Sequence, residues 1–191
     1  MAPTDLGGAL LRTARLALDQ AFGRAGAPAV IHALLDRPGA TFVTLTRHGE
    51  LRGCIGTLEA RRPLRQDVEE NTLNAAFRDP RFTPLAAAEL GATRIEVSLL
   101  CAPVPMPIAG EDDLLQRLRP GVDGVVLAFR GQRATFLPQV WDSLPEPRDF
   151  IAALKHKAGL ATGFWHDEVR VSRYAVSKFS EADACAIPVL S

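Results

Sequence analysis

The chain has 191 residues, 47% hydrophobic and 23% charged, enough to remove roughly 70% of its unfolded surface from water without covalent staples. Basic and acidic side chains balance at 22 each, so no net field draws in a polyanion, which argues against nucleic-acid binding as the main role. Three widely spaced cysteines, Cys54, Cys101 and Cys185, suit a reducing cytoplasm and not a disulfide scaffold.

In chain order, Leu6, Leu10, Ala14, Leu18 and Phe22 recur every fourth position and predict an amphipathic helix over 5–22, capped by Thr4 or Asp5 and ended by Gly23. Pro28 opens a second short helix through Leu35, stopped by Arg37-Pro38-Gly39. Two strands, 41–47 and 51–58, flank His48-Gly49 and form a hairpin. Pro63 starts a helix reaching Phe77, with Asp67, Glu69 and Glu70 in its early turns, where the helix dipole favours them. Asp79-Pro80-Arg81-Phe82-Thr83-Pro84 is a proline-bracketed loop, and a short helix then ends at Gly91.

Residues 93–100 alternate as a strand, with Ile95, Val97 and Leu99 on one side and Glu96 and Ser98 on the other. Three prolines make 103–107 a connector. A helix opens at Asp112, and a second hairpin joins 125–129 to 134–137 through Gly131-Gln132. Phe150, Ile151 and Leu154 drive a helix closed by Gly159, and 169–179 reads as one last strand. Residues 180–191 lack periodicity and are expected to be a mobile tail. Helices and hairpins mix without regular alternation, which predicts an α+β fold with a mixed or largely antiparallel sheet and flanking helices. No leader and no apolar run near about 20 residues is evident, so a cytoplasmic protein is expected.

The most distinctive segment is Leu51-Arg52-Gly53-Cys54-Ile55-Gly56. Glycine inside a strand costs packing and backbone entropy, so two of them mark a bulge or a close approach by another group. Strict alternation puts Arg52 and Cys54 on one face, unless a bulge resets the phase. Their separation of roughly 6–7 Å is worth on the order of 2.5 kcal/mol at an effective dielectric of about 20, and roughly 0.6 kcal/mol in water. Burial therefore decides whether Arg52 activates the thiol. The alternative is that Cys54 fills a gap beside Gly53 and Gly56, while Arg52 pairs with a structural carboxylate.

Around this pair, Glu96 is a partner for Arg52 or Arg81, and Asn71, Asn74 and Arg81 are candidate cleft residues that capping and solvation would equally explain. His156 and His166 are candidate bases for the thiol. Trp141 and Phe136 read as core. Cys101 and Cys185 carry no signal. No metal, nucleotide or flavin motif is present: Cys-x-x-Cys and the phosphate-binding glycine loops are missing, and the cofactor is unknown.

The hexapeptide resembles the hallmark of the AMMECR-one domain family. Supporting matches follow in order: 42–45, Ala75 to Phe82, 95–98, Pro120 to Val125, Arg133 to Trp141, 157–160 and Arg173-Tyr174. The resemblance implies one domain over 1–191, built as two unequal, intermixed lobes with a cleft between them. It implies similarity to protein A of the AmmeMemoRadiSam system, whose partners are a Memo-like protein and a radical S-adenosylmethionine protein. It implies no established reaction. Two functions are thus expected: an enzyme or enzyme component acting on a small molecule or a modified residue through Cys54, with Arg52 as anion holder and Gly53 and Gly56 beside it, or a non-catalytic adaptor for those partners.

Overall fold

The computed structural model describes residues 5–24 and 28–181. Its elements begin with α1 (Leu6–Ala21), a 3-10 turn (Ala33–Asp36), β1 (Pro38–Gly39), β2 (Thr41–Arg47), β3 (Glu50–Gly56), β4 (Arg62–Pro63), α2 (Leu64–Phe77) and a second 3-10 turn (Ala87–Ala92). They continue with β5 (Thr93–Leu100), β6 (Val104–Met106), α3 (Glu111–Arg117), β7 (Gly124–Phe129), β8 (Gln132–Phe136), a third 3-10 turn (Pro138–Asp142), α4 (Pro147–Lys157), β9 (Arg170–Tyr174) and β10 (Val176–Ser180). The fold is α+β. The pairings of β1 with β4, β2 with β3 and β5, and β9 with β6 and β7 are antiparallel, as is the β7–β8 hairpin. The chain forms two compact units, one from the residues up to Leu99 plus the segment from Ser177, the other from Leu100–Val176.

In the first unit the strand order is β10-β5-β2-β3. Alternation sends Val43, Leu45, Ile95 and Val97 toward α1 and α2, where they meet Leu10, Leu18, Val68 and Ala76 in one buried cluster. Asp5 caps α1 by accepting from the Gly8 N–H at 2.6 Å. Thr4, the other cap candidate, and Cys185 with the tail beyond residue 181 lie outside the described residues. The β2–β3 turn places His48 and Gly49 at φ 54° and 84°, the paired left-handed conformation of a two-residue hairpin turn.

The second unit has the strand order β6-β9-β7-β8. Leu114, Val125, Leu127, Phe150, Ile151, Leu154 and Val171 fill its core. Trp141 belongs to it, stacked on Phe150 at 3.7 Å between ring centres, and its indole N–H donates to Asp123 O at 2.7 Å. Phe136 packs edge-on against the same Phe150.

Four sequence expectations are corrected here. Residues 28–32 are not helical: only one 3-10 turn forms, with His32 Nδ1 accepting from the Leu34 N–H. The connector at 103–107 contains the short edge strand β6, an edge position being where proline is tolerated. The second hairpin turns at Arg130-Gly131, one residue early, because both adopt positive φ. The last strand is two: β9 and β10 break at Ala175 and join different sheets.

Candidate functional site

The hairpin register shows how β3 presents its thiol. Arg47 faces Glu50 and Thr46 faces Leu51, but Leu45 then faces Gly53 and Thr44 faces Cys54. Arg52 is the extra residue of a β-bulge, so strict alternation fails there. Beyond the bulge Gly53 points to the helices and Cys54 to the opposite face. A Cβ on Gly53 would overlap the Ala75 carbonyl oxygen of α2, and one on Gly56 would overlap the Phe42 ring. Both glycines therefore serve close packing, one admitting a helix backbone and the other an aromatic ring.

Arg52 turns to the 3-10 turn before β5 and forms a two-pronged pair with Glu89, Nε to Oε1 and Nη2 to Oε2, both at 3.0 Å. Glu89 also accepts from Arg47 at 2.5 Å and from the Ala86 N–H at 2.9 Å. The Arg52 hydrogen bonds, ahead of the Ala86 amide, hold the Glu89 carboxyl down at about 2, and Glu89 in turn raises the Arg52 guanidinium. The cation expected beside the thiol is committed to a structural carboxylate, which is neither Glu96 nor on its own strand.

A different arginine takes that place. Asp79, its carboxyl group 1% exposed, accepts from the Cys54 N–H at 2.8 Å and from Arg81 through the main-chain N–H, Nε and Nη2 at 3.1, 3.0 and 2.7 Å. Arg81 Nη2 also donates to Cys54 O at 3.2 Å. Strand β3 is the sheet edge, and the Asp79–Arg81 pair covers the outward N–H and C=O of Cys54 as a neighbouring strand would. Arg81 holds the Asp79 carboxyl far below the ordinary carboxylate range. The Arg81 guanidinium is raised chiefly by Asp79, with a smaller contribution from the Cys54 thiol beside it.

With its backbone groups turned outward, Cys54 forms a non-hydrogen-bonded pair with Thr44, the closer of the two antiparallel pair types. The Thr44 hydroxyl accordingly donates to Sγ at 3.3 Å, and the thiol is half-buried. Thr44 also faces Glu96 on β5, and Glu96 accepts from the Ser180 hydroxyl of β10 at 3.1 Å. Cys54, Thr44, Glu96 and Ser180 thus form a polar row across all four strands, on the face away from the helices. Thr44, Glu96 and Ser180 line a hollow of about 600 Å³ with Thr46, His48 and Arg94.

The remaining sequence candidates fall elsewhere. Asn71 is corrected from cleft residue to buried structural group: its amide donates to Asp67 at 3.0 Å and to Thr41 O at 3.0 Å. Asp67, fully buried, accepts in addition from Thr41, Thr57 and Arg62, tying α2 to β2 and to the end of β3. Asn74 sits by the C-terminal end of α2, accepting from Arg78 at 3.3 Å. Glu96 pairs with neither Arg52 nor Arg81. His166 belongs to the second unit, where its Nδ1 accepts from the Glu168 N–H and its ring packs on Phe129. His156 closes α4 there. Sequence reasoning missed Asp79, Glu89 and Thr44. The aspartate two residues before Arg81 was a legible sign, since that spacing allows a side chain to meet the following backbone N–H.

An antiparallel sheet backed by two helices, with a thiol strand closed by an Asp–Arg clamp, defines an α+β protein of two compact units. Over residues 11–179 the chain matches the AMMECR1 family, and it belongs to that family. It is 38% identical over 146 residues to a protein of Methanothermobacter thermautotrophicus, covering 73% of this chain and 74% of that one. To protein Ta0236 of Thermoplasma acidophilum it is 36% identical over 135 residues, 70% of this chain and 65% of the other. The crystal structure of uncharacterized protein PH0010 from Pyrococcus horikoshii is similar with a TM-score of 0.73 and 27% identity, covering 92% and 91% of the two chains. Among the described residues, no helix is long and apolar enough to cross a membrane.

Proposed function

We propose that the protein is an enzyme component whose reacting group is the Cys54 thiol, with Arg81 in the role expected of Arg52. Arg81 is paired with Asp79 through Nε and Nη2 but its side chain is 54% exposed, and through that exposed side it meets an anionic group of a small molecule or modified residue beside Cys54. The observation that carries this reading is the Thr44 hydroxyl donating to the sulfur at 3.3 Å, with the Arg81 guanidinium on the carbonyl oxygen of the same residue at 3.2 Å. Among the described residues Cys54 and Cys101 are free thiols, which fits a reducing cytoplasm.

Cys101 is exposed and supplies an internal reference thiol. Iodoacetamide labelling at neutral pH, read peptide by peptide, tests the reading. Cys54 reacts faster than Cys101 despite its burial, and Arg81→Gln removes the advantage. A Cys54 slower than Cys101 in the wild type defeats it.

The adaptor reading has its own observation. Ile31 is 77% exposed and Leu34 47% exposed in the first unit, two large apolar side chains three residues apart. On this reading the Memo-like and radical S-adenosylmethionine proteins are the partners. A Cys54→Ser variant that still captures both and supports their activity favours the adaptor, whereas intact capture with lost activity favours the thiol.

A further inference from the structure

A second cavity, of about 830 Å³, lies wholly within the second unit. One wall is the segment Pro105–Gly110, the other is Trp165–Asp167, and Val169 and Val171 form part of the floor. Both walls are fixed from behind. Arg117 donates to Pro107 O at 2.5 Å, and Asp113 accepts from the Ala109 N–H at 3.0 Å, so α3 holds the first wall at two main-chain points. Lys155, 1% exposed, lies over the Trp165 ring at 5.6 Å. Its ammonium donates to Glu111 at 2.7 Å and to Thr162 O at 3.0 Å, which fixes the second wall to α3 and α4. A cavity held this way loses little freedom when a ligand enters.

Its polar equipment is mostly donors. His166 Nδ1 accepts from the Glu168 N–H, so the proton of the neutral ring sits on Nε2 and is available to a ligand. Arg170, which is exposed, donates among the described residues to a main-chain oxygen, Asp167 O at 3.1 Å, and that leaves most of its fork uncommitted. Asp167 is a lining carboxylate, and neighbouring Glu168, held by Arg130 through two hydrogen bonds at 2.8 and 3.2 Å, also lies within the electrostatic reach of His166 and Arg170, so a ligand anion shares these two groups with it. The accessible apolar surface comes from Pro105, Pro107, Ile108 and the Trp165 ring, with the buried Met106, Val169 and Val171 behind it. A proline edge strand lacks the N–H groups that a peptide strand would need, which favours a compact ligand over strand addition.

We infer that this cavity is a binding site for an amphipathic anion, a small molecule with a flat apolar body and one carboxylate or sulfonate group. The body lies against Trp165 and the apolar floor, and the anion meets Arg170 and His166 Nε2–H. The inference goes beyond the reading of Cys54 and does not depend on it.

Two naphthalene dyes test it on the full chain. 1-Anilinonaphthalene-8-sulfonate carries the anion, and N-phenyl-1-naphthylamine is the same body without it. The sulfonate is expected to bind saturably at one site, with energy transfer from tryptophan, and at least several-fold more tightly than the neutral dye. Arg170→Gln weakens the sulfonate roughly tenfold, the loss of one charge-assisted contact, and leaves the neutral dye unchanged. Arg170→Lys restores most of the sulfonate affinity. Equal affinities for the two dyes, or a sulfonate affinity indifferent to Arg170→Gln, overturn the inference.

Discussion

Replacing Asp79 by asparagine probes the clamp over Cys54 with almost no change in volume. Each carboxylate oxygen now accepts two donors: Oδ1 takes the Arg81 N–H and Nε, and Oδ2 takes the Cys54 N–H and Arg81 Nη2. An amide keeps one oxygen, so one pair of donors must face an NH2 group. Hydrogen bonds to a charged partner are worth about 1.5–3 kcal/mol each in buried settings. The Arg81 side chain is 54% exposed, and water recovers much of its share, so the net loss is about 2 kcal/mol. For a chain of this size that corresponds to a drop in Tm of roughly 4–8 °C. The folded Asp79 carboxyl titrates below its unfolded value, so its stabilisation is complete above the unfolded pKa near 4 and fades as pH falls toward the folded one. Thermal unfolding followed by circular dichroism should therefore show a gap between wild type and Asp79→Asn that is full at pH 7 and narrows below about pH 4. A gap of the same size at pH 7 and pH 2.5 refutes the assignment of this stability to the carboxylate charge.

Arg52→Gln should lower stability by about 1–3 kcal/mol, because Glu89 is left largely desolvated without its two-pronged partner, and chemical denaturation measures it. The same variant should leave the alkylation rate of Cys54 within about twofold, unlike Arg81→Gln, and peptide-level mass spectrometry separates the two. Gly53→Ala forces a methyl against the Ala75 carbonyl and should cost about 3 kcal/mol or more, seen as a lowered denaturation midpoint or loss of soluble protein. Asn71→Asp places a second carboxylate beside Asp67 in a dry site. It should destabilise strongly at pH 7, and the penalty should shrink steadily as the pH is lowered, because two like charges in one site favour taking up a proton; the pH dependence of Tm checks the sign.

Periodicity made the helices and most strands legible. The fourfold apolar spacing of α1, the alternation of β5 and the polar-glycine turn after β2 each carry one unambiguous local signal. The bulge did not. Counting back from the His48-Gly49 turn pairs Thr44 with Gly53, and only the inserted Arg52 moves Thr44 opposite Cys54. An insertion of this kind is fixed by what the residues on either side must meet, here α2 under Gly53 and Glu89 beyond Arg52, and neither contact is local in sequence. The division of 169–179 into two strands was hidden for the same reason, since each half satisfies alternation alone.

Those facts explain why one hexapeptide combines two glycines, an arginine and a cysteine. Gly53 lets the α2 backbone approach so closely that a β-carbon does not fit, which fixes the height of β3 above the helix. The bulge at Arg52 twists the edge and sends its guanidinium to Glu89, which anchors the turn before β5. After that the strand resumes its phase with Cys54 on the outer face, its backbone held by Asp79 and Arg81 and its sulfur against Thr44. The ion pair caps the N–H and C=O that any residue at this edge position would present, so it bears on the strand and not on the sulfur, whose own polar contact is the Thr44 hydroxyl. Replacing Cys54 by alanine separates the two: the clamp contacts are to the backbone and survive, so the fold should lose only about 1 kcal/mol or less for the half-buried thiol. A loss of several kcal/mol by denaturant titration would mean that the sulfur is core and that its polar neighbours are incidental.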